Sequence, residues 1–360
     1  MNTALTRTGE PEQHQLTSQR AAVAAGRLNR QNSDGALSLA GSASAFAGSI
    51  VVAVLIACVS LAGLVLGRTG LYGSEGNLAD GIITSTGGIV IPGFRAHDLF
   101  NLAVALPVLL ASAGFARRGS LVGLLLWPGG LFYVLYTYAL YLVGAPFGPL
   151  FLGYGLLVVL SAYTTMVVVA RMNHAAVRER LAGVIPARTI GGILVALALL
   201  TVVQDGGGAI ATALGGGTQA EPLARHAWTV DLTISVPATL LGGVLLWRRA
   251  ALGYVVAAGL LFAFGLTPIA LAAILALQPW LTGSAIDGGT IVGLLVFAAV
   301  AYVPLGFFVR GARADSQPAT RALKVRAASV VGMVSQNTRF ESNSRERLPG
   351  HRHGDPGCRQ

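Results

Sequence analysis

Apolar residues along the chain fall into eight long runs separated by short polar or glycine-rich breaks. About 20 residues cross a hydrocarbon core of about 30 Å at 1.5 Å per residue, and most of these runs are that long. They lie at residues 44–67, 98–115, 120–144, 147–170, 189–204, 228–247, 251–277 and 290–309. The second and third are joined by Ala116-Arg117-Arg118-Gly119-Ser120, too short and too basic to be anything but a turn between two membrane helices. The pattern predicts an all-α, polytopic transmembrane helix bundle of about eight spans occupying residues 44–310. Residues 1–43 and 311–360 are polar and lack helical or strand periodicity, and they read as a disordered N-terminal arm and a disordered basic tail. Residues 71–96 read as an outer loop with a β-like piece, Gly81 to Pro92, turning at Gly87-Gly88. Residues 205–227 read as a second outer loop, made flexible by glycine triplets at 206–208 and 215–217. Arg171 to Arg188 read as a charged inner loop.

Composition agrees with the pattern. Hydrophobic residues are 54% of the 360 and charged residues 11%, less than half the roughly 25% of a soluble domain. The net charge of +10 does not imply a nucleic-acid partner, because the basic residues sit in tails and short loops rather than on one folded face. Their distribution fixes an orientation. With the N-terminus inside, 22 of the 25 basic residues are cytoplasmic, and only Arg68, Arg95 and Arg225 are outside. Short loops carry the orienting signal, and without the two tails the inner side still leads. Arg117, Arg118, Arg248 and Arg249 are the topology anchors. The expected location is a bacterial plasma membrane, with both termini cytoplasmic and the lipid bilayer as first partner. Cys58 lies inside a span and Cys358 near the end of the chain, so no disulfide framework follows.

An internal echo is also visible. Asp98-Leu99, Pro107 and Arg117-Arg118-Gly119-Ser120-Leu121 are followed later by Asp231-Leu232, Pro237 and Arg248-Arg249-Ala250-Ala251-Leu252. Two parallel repeats of four spans, related by an axis along the membrane normal, would produce it. So would the general tendency of an inward-running helix to start with an acid and end with arginines.

These residues, together with Trp127, Tyr133, Tyr136, Tyr138-Ala139, Tyr141, Gly144-Ala145, Phe147, Leu150-Phe151-Leu152 and Tyr154, resemble a family of bacterial multi-spanning membrane proteins to which no activity is assigned. The distal part is similar too, through Ile190-Gly191-Gly192, Pro237-Ala238, Leu241 to Arg249 and Gly253-Tyr254-Val255. The resemblance covers most of residues 44–280. It departs at Thr137 and Gly148, where the family usually or often has asparagine, and it ends before the eighth span. It implies class and topology and carries no mechanism.

Asp231 is the foremost candidate for chemistry, because an ionisable group inside a span is costly and so invites a functional reading. It sits three residues inside Trp228, where a helix N-terminus at headgroup depth would also hold it. Asp98 has the same two readings and lies at its span's edge. His97, Asp98, His226 and Asp231 fall on the outer side near helix starts and could in principle converge on a divalent metal, though no metal-binding spacing demands it. Tyr138 and Tyr141 read as interfacial belt residues. Tyr133 and Tyr136 lie deeper, where each hydroxyl needs a partner. Pro107, Pro128, Pro237, Pro268 and Pro304 interrupt spans, and small residues including Gly129 and Gly259 permit close helix approach.

No phosphate-binding loop, nucleophile elbow or paired buried carboxylates at helical spacing is present. The spans as drawn hold no arginine or histidine in their interiors, which argues against a voltage sensor and a haem carrier. No cofactor and no metal is expected. The leading reading is a non-enzymatic bundle that binds or moves a small-molecule or lipid ligand, and it calls for a midplane cavity lined by Tyr133, Tyr136 and Asp231. A membrane enzyme or metal-dependent site on the outer face, and a membrane scaffold, stay open beside it.

Overall fold

The computed structural model describes residues 43–66, 90–145, 147–215, 222–282 and 288–314. Nine helices and no strand occur among them. They are α1 (Ala43–Leu66), α2 (residues 90–117), α3 (Leu121–Gly144), α4 (Phe151–Arg171), α5 (His174–Leu181), α6 (Ala187–Ala213), α7 (residues 222–247), α8 (Ala251–Thr282) and α9 (Gly288–Ala314). All but α5 are long and apolar enough to cross a membrane, so the chain is a multi-pass helical membrane protein. Residues Met1–Ala312 form one compact unit. Arg313–Gln360 form a second, of which only the last two residues of α9 are described.

Helix α3 is the centre of the bundle and the most enclosed span. It packs against α2, α4, α8 and the first part of α7, while α1 lies on α2 and α4. Large side chains seal the join between α1 and α3. The Trp127 indole is fully buried, stacks on Phe46 with ring centroids 4.5 Å apart, and donates from Nε1 to Ser49 Oγ at 2.9 Å. An indole N–H buried without an acceptor costs about 1–3 kcal/mol. Ser49→Ala is therefore expected to destabilise the protein by that amount, measured by thermal or denaturant unfolding in detergent, and an unchanged transition would show that the bond contributes nothing. The outside of the bundle is apolar, as on α4, where Leu152, Leu156, Val159, Tyr163 and Met166 are exposed along one stripe.

Three of the long helices widen into a π turn: α2 at Asn101–Ala105, α6 at Val202–Gly206 and α7 at Asp231–Ser235. In α2 and α7 a proline follows, Pro107 and Pro237. Proline lacks the N–H that should reach the carbonyl four residues back, and its ring crowds that carbonyl, so a locally widened turn accommodates it.

The repeat is geometric, with a register different from the sequence echo. The π turns of α2 and α7, Pro107 and Pro237, and the left-handed residues Gly119 (φ 81°) and Arg249 (φ 55°) that turn each hairpin are all spaced by 130 residues. The same offset relates Gly123 to Gly253, each pressed on the backbone of the preceding helix, and Gly129 to Gly259, which touch one another. The contacts are reciprocal: residues 90–100 of α2 pack on α8, and residues 222–230 of α7 pack on α3. The α2–α3 and α7–α8 hairpins thus match at a constant offset of 130 residues, with Gly129 and Gly259 at their contact. In this register Asp231 corresponds to Asn101, and Asp98 corresponds to Trp228.

Several sequence expectations are corrected. Helix α2 starts at Val90, so the end of the β-like piece, Val90-Ile91-Pro92, is helical, and its remainder lies outside the described residues. Arg95 and His97 are consequently inside a helix, in the first turns of the candidate span Gly93–Arg117 rather than before it. Helix α6 runs to Ala213, which makes Gly206 to Gly208 helical rather than a flexible loop. The charged inner loop contains α5, held by buried Val177 and Leu181. The fourth span begins at Phe151, not 147. The arm and the tail lie outside the described residues except for Ala43 and residues 311–314.

Candidate functional site

The polar side chains inside the bundle gather in two centres on either side of α3. Helical geometry places Tyr133, Thr137, Tyr138 and Tyr141 on one side of α3 and Tyr136 on another.

The first centre belongs to the first half. Tyr133 is 1% exposed and donates its hydroxyl proton to Asn101 Oδ1 at 3.3 Å. His97 Nε2 lies 3.2 Å from the same hydroxyl. With the phenol proton committed to Asn101, an Nε2–H tautomer of His97 completes the bond. Tyr138 shares a 3.2 Å bond with Ser60 Oγ, and Tyr141 donates to the Phe94 carbonyl at 3.2 Å. The rings of Tyr138, Tyr141 and Tyr154 pack on one another with centroids 5.1–6.1 Å apart. Tyr138 and Tyr141 are thus fully buried packing residues, which corrects their assignment to an interfacial belt. Asp98 is likewise buried rather than at a span's edge, in electrostatic reach of Tyr138 and Tyr154. The Tyr154 hydroxyl and Asn101 Nδ2 have no hydrogen-bond partner among the described residues.

The second centre belongs to the second half. Tyr136 donates to Asp231 Oδ1 at 3.0 Å, and the Ser235 hydroxyl, one π turn on, lies near the same carboxylate. Asp205, from the π turn of α6, lies in electrostatic reach of both Asp231 and Tyr136, and the two π turns touch. It is 8% exposed.

Directly below, a cavity of about 30 Å³ opens between α6, α7, α8 and α9, room for a water or two. Thr201, Ser235 and Thr239 supply hydroxyls to an otherwise apolar wall that includes Leu194, Leu261, Phe264 and Phe297. Phe297 is 44% exposed, so the cleft gives onto the lipid-facing side. Tyr133, Tyr136 and Asp231 do not line it, which moves the expected cavity off those residues and one turn along α7.

The four residues considered for a metal are divided between the centres. His97 and Asp98 belong to the first and Asp231 to the second, while His226 packs against Gly144. Among the described residues no three His, Cys, Asp or Glu side chains come together to hold a metal ion. Sequence reasoning missed Asp205, Asn101, Ser235 and the two threonines. In the sequence Asp205 reads as a loop residue because three glycines follow it. The signal that it belonged to a span was the apolar run Ala209 to Leu214 beyond them.

No protein-family model, no curated protein and no solved structure matches the chain. The function is therefore read from the residues alone.

Proposed function

We propose that this protein is a non-enzymatic membrane bundle that binds or moves a small or lipidic molecule, of which the α6–α9 cleft, with room for a water or two, would take only a small polar end. The observation that carries the reading is the cleft's composition: three hydroxyls in an apolar wall beside the bilayer, with the Asp231–Tyr136 pair at its head. Thr201 and Thr239 donate their protons to the Leu197 and Ser235 carbonyls of their own helices, so their oxygens face the recess as acceptors, and a few placed polar groups in an apolar recess are what orient a ligand. The π turns at matching positions of α2 and α7 add support, since such turns are frequent at functional sites. The placement in a bacterial plasma membrane, with the arginine-bearing turns and both termini cytoplasmic, rests on the charge asymmetry and on the family resemblance.

Native mass spectrometry of the purified full-length protein tests this. A small molecule or lipid should survive purification in the wild type and be held less well in Thr239→Val, which keeps the side chain's shape and removes its hydroxyl. In Thr239→Leu, which fills the cleft, its occupancy should drop by about tenfold or more. An adduct carried equally by the leucine variant would place the ligand elsewhere and overturn the reading.

A further inference from the structure

The α6–α9 cleft lies near the middle of the four helices that form it. Thr201, Thr239, Leu261 and Phe297 fall close to the centres of the spans Ala187–Ala213, His226–Trp247, Ala251–Leu277 and Gly288–Arg313. The recess is therefore at the depth where the two leaflets of a bilayer meet. Its mouth is at the half-exposed Phe297, while Leu194, Ser235, Thr239 and Leu261 on its wall are buried. A molecule that enters past Phe297 comes from the hydrocarbon and carries its polar end to the bilayer centre.

The wall decides what that end is. Among the residues that line it none is ionisable, and Asp231, one turn beyond, is engaged by Tyr136. A charged head would lose its hydration at this depth and meet no opposite charge on the wall. The room, about 30 Å³, admits a single oxygen and is too small for a phosphate or a sugar. The hydroxyls then set the direction of hydrogen bonding. Thr201 Oγ1 donates to the Leu197 carbonyl at 3.1 Å and Thr239 Oγ1 to the Ser235 carbonyl at 2.6 Å. A threonine hydroxyl has one proton and two lone pairs, so toward an occupant both oxygens only accept. An ether, ester or ketone oxygen, which also only accepts, finds no donor at either threonine. Thr239 is the more enclosed of the two.

We propose that the cleft selects a lipid-borne molecule whose polar end is a single neutral hydroxyl, as in a long-chain alcohol. The hydroxyl donates to Thr239 Oγ1, and the apolar body leaves past Phe297. This names the occupant and rests on the reading of the cleft as a ligand site.

The test is native mass spectrometry of the delipidated full-length protein in detergent, titrated with 1-hexadecanol, hexadecyl methyl ether or hexadecylamine. The alcohol should bind saturably at one per chain. The ether, which has the same chain and no proton to donate, should bind about fivefold or more weakly, the worth of one hydrogen bond. The amine, protonated at about pH 7, should also bind more weakly than the alcohol. Thr239→Val should bring the alcohol down to the ether and leave the ether unchanged. Should that variant not fold, the ratio of alcohol to ether in the wild type decides. No binding of the alcohol, equal binding of the ether, or tighter binding of the amine overturns the hydroxyl assignment. If Thr239→Leu loses the co-purified adduct while alcohol and ether bind the wild type alike, the cleft stands and only the hydroxyl assignment fails. If Thr239→Leu binds hexadecanol as the wild type does, both fail.

Discussion

Replacing Gly129 with leucine is expected to leave no folded, monodisperse protein, and even alanine there should destabilise the bundle. A Cβ at Gly129 would sit 2.4 Å from the Gly259 carbonyl oxygen and 2.9 Å from its Cα. Both are backbone atoms, so no rotamer change can relieve the clash. The helices cannot simply separate, because α3 is backed by α2 and α4, and α8 by α7. Overpacking of a well-filled core costs about 1–3 kcal/mol for added methylenes, and leucine adds several at the contact that joins the two hairpins. The reciprocal change should be milder, since a Cβ at Gly259 meets Gly129 N at 3.2 Å and Cα at 3.4 Å. Gly293, with nothing within 4 Å, is the control: alanine there should be neutral or stabilising by up to about 1 kcal/mol, the usual gain of a helical glycine-to-alanine exchange. Size-exclusion profiles and thermal melts of the four variants would check the order, and a Gly129→Leu protein that melts like wild type would remove the close contact between the hairpins.

The spans themselves were legible because a membrane helix needs only length and apolarity, and the turn at Gly119-Ser120 because glycine and an N-cap serine have few other uses together. What escaped reading involved residues whose meaning depends on neighbours distant in the chain. Asp98 at the edge of an apolar run looks interfacial, yet α2 begins earlier, at Val90, and carries the acid into the protein. Tyr138 and Tyr141 near a helix end look like belt residues, but α1 and α4 close over them. Glycines 206–208 look like a linker, and in α6 they are ordinary helix beside a π turn. The repeat was visible through its prolines and arginines, but its register was not. A sequence echo aligns the two Asp-Leu pairs, whereas the backbone aligns Asp231 with Asn101. That difference puts an acid in α7 where α2 has an amide.

Reversing Arg117 and Arg118 to glutamate is expected to disrupt insertion of the α2–α3 hairpin. Both arginines are exposed at the end of α2, and the Arg117 guanidinium lies 5.7 Å from the centre of the Phe46 ring at the start of α1. Three spans therefore meet this turn. Each basic residue near an anionic membrane surface contributes about 1 kcal/mol, so the double reversal, a change of four charges, shifts the balance by about 4 kcal/mol. That is enough to overturn an orientation bias set by a handful of short-loop arginines. Paired reporter fusions after residues 119 and 250 would show the effect. In the wild type both turns should report the cytoplasmic side, and in the variant the first should report a mixed or reversed side. The Arg248→Glu, Arg249→Glu pair should act more locally, because α1 to α4 already fix the frame when α7 emerges. If the first pair left both fusions unchanged, the arginines would not set the topology, and the cytoplasmic placement of the termini would lose its main support.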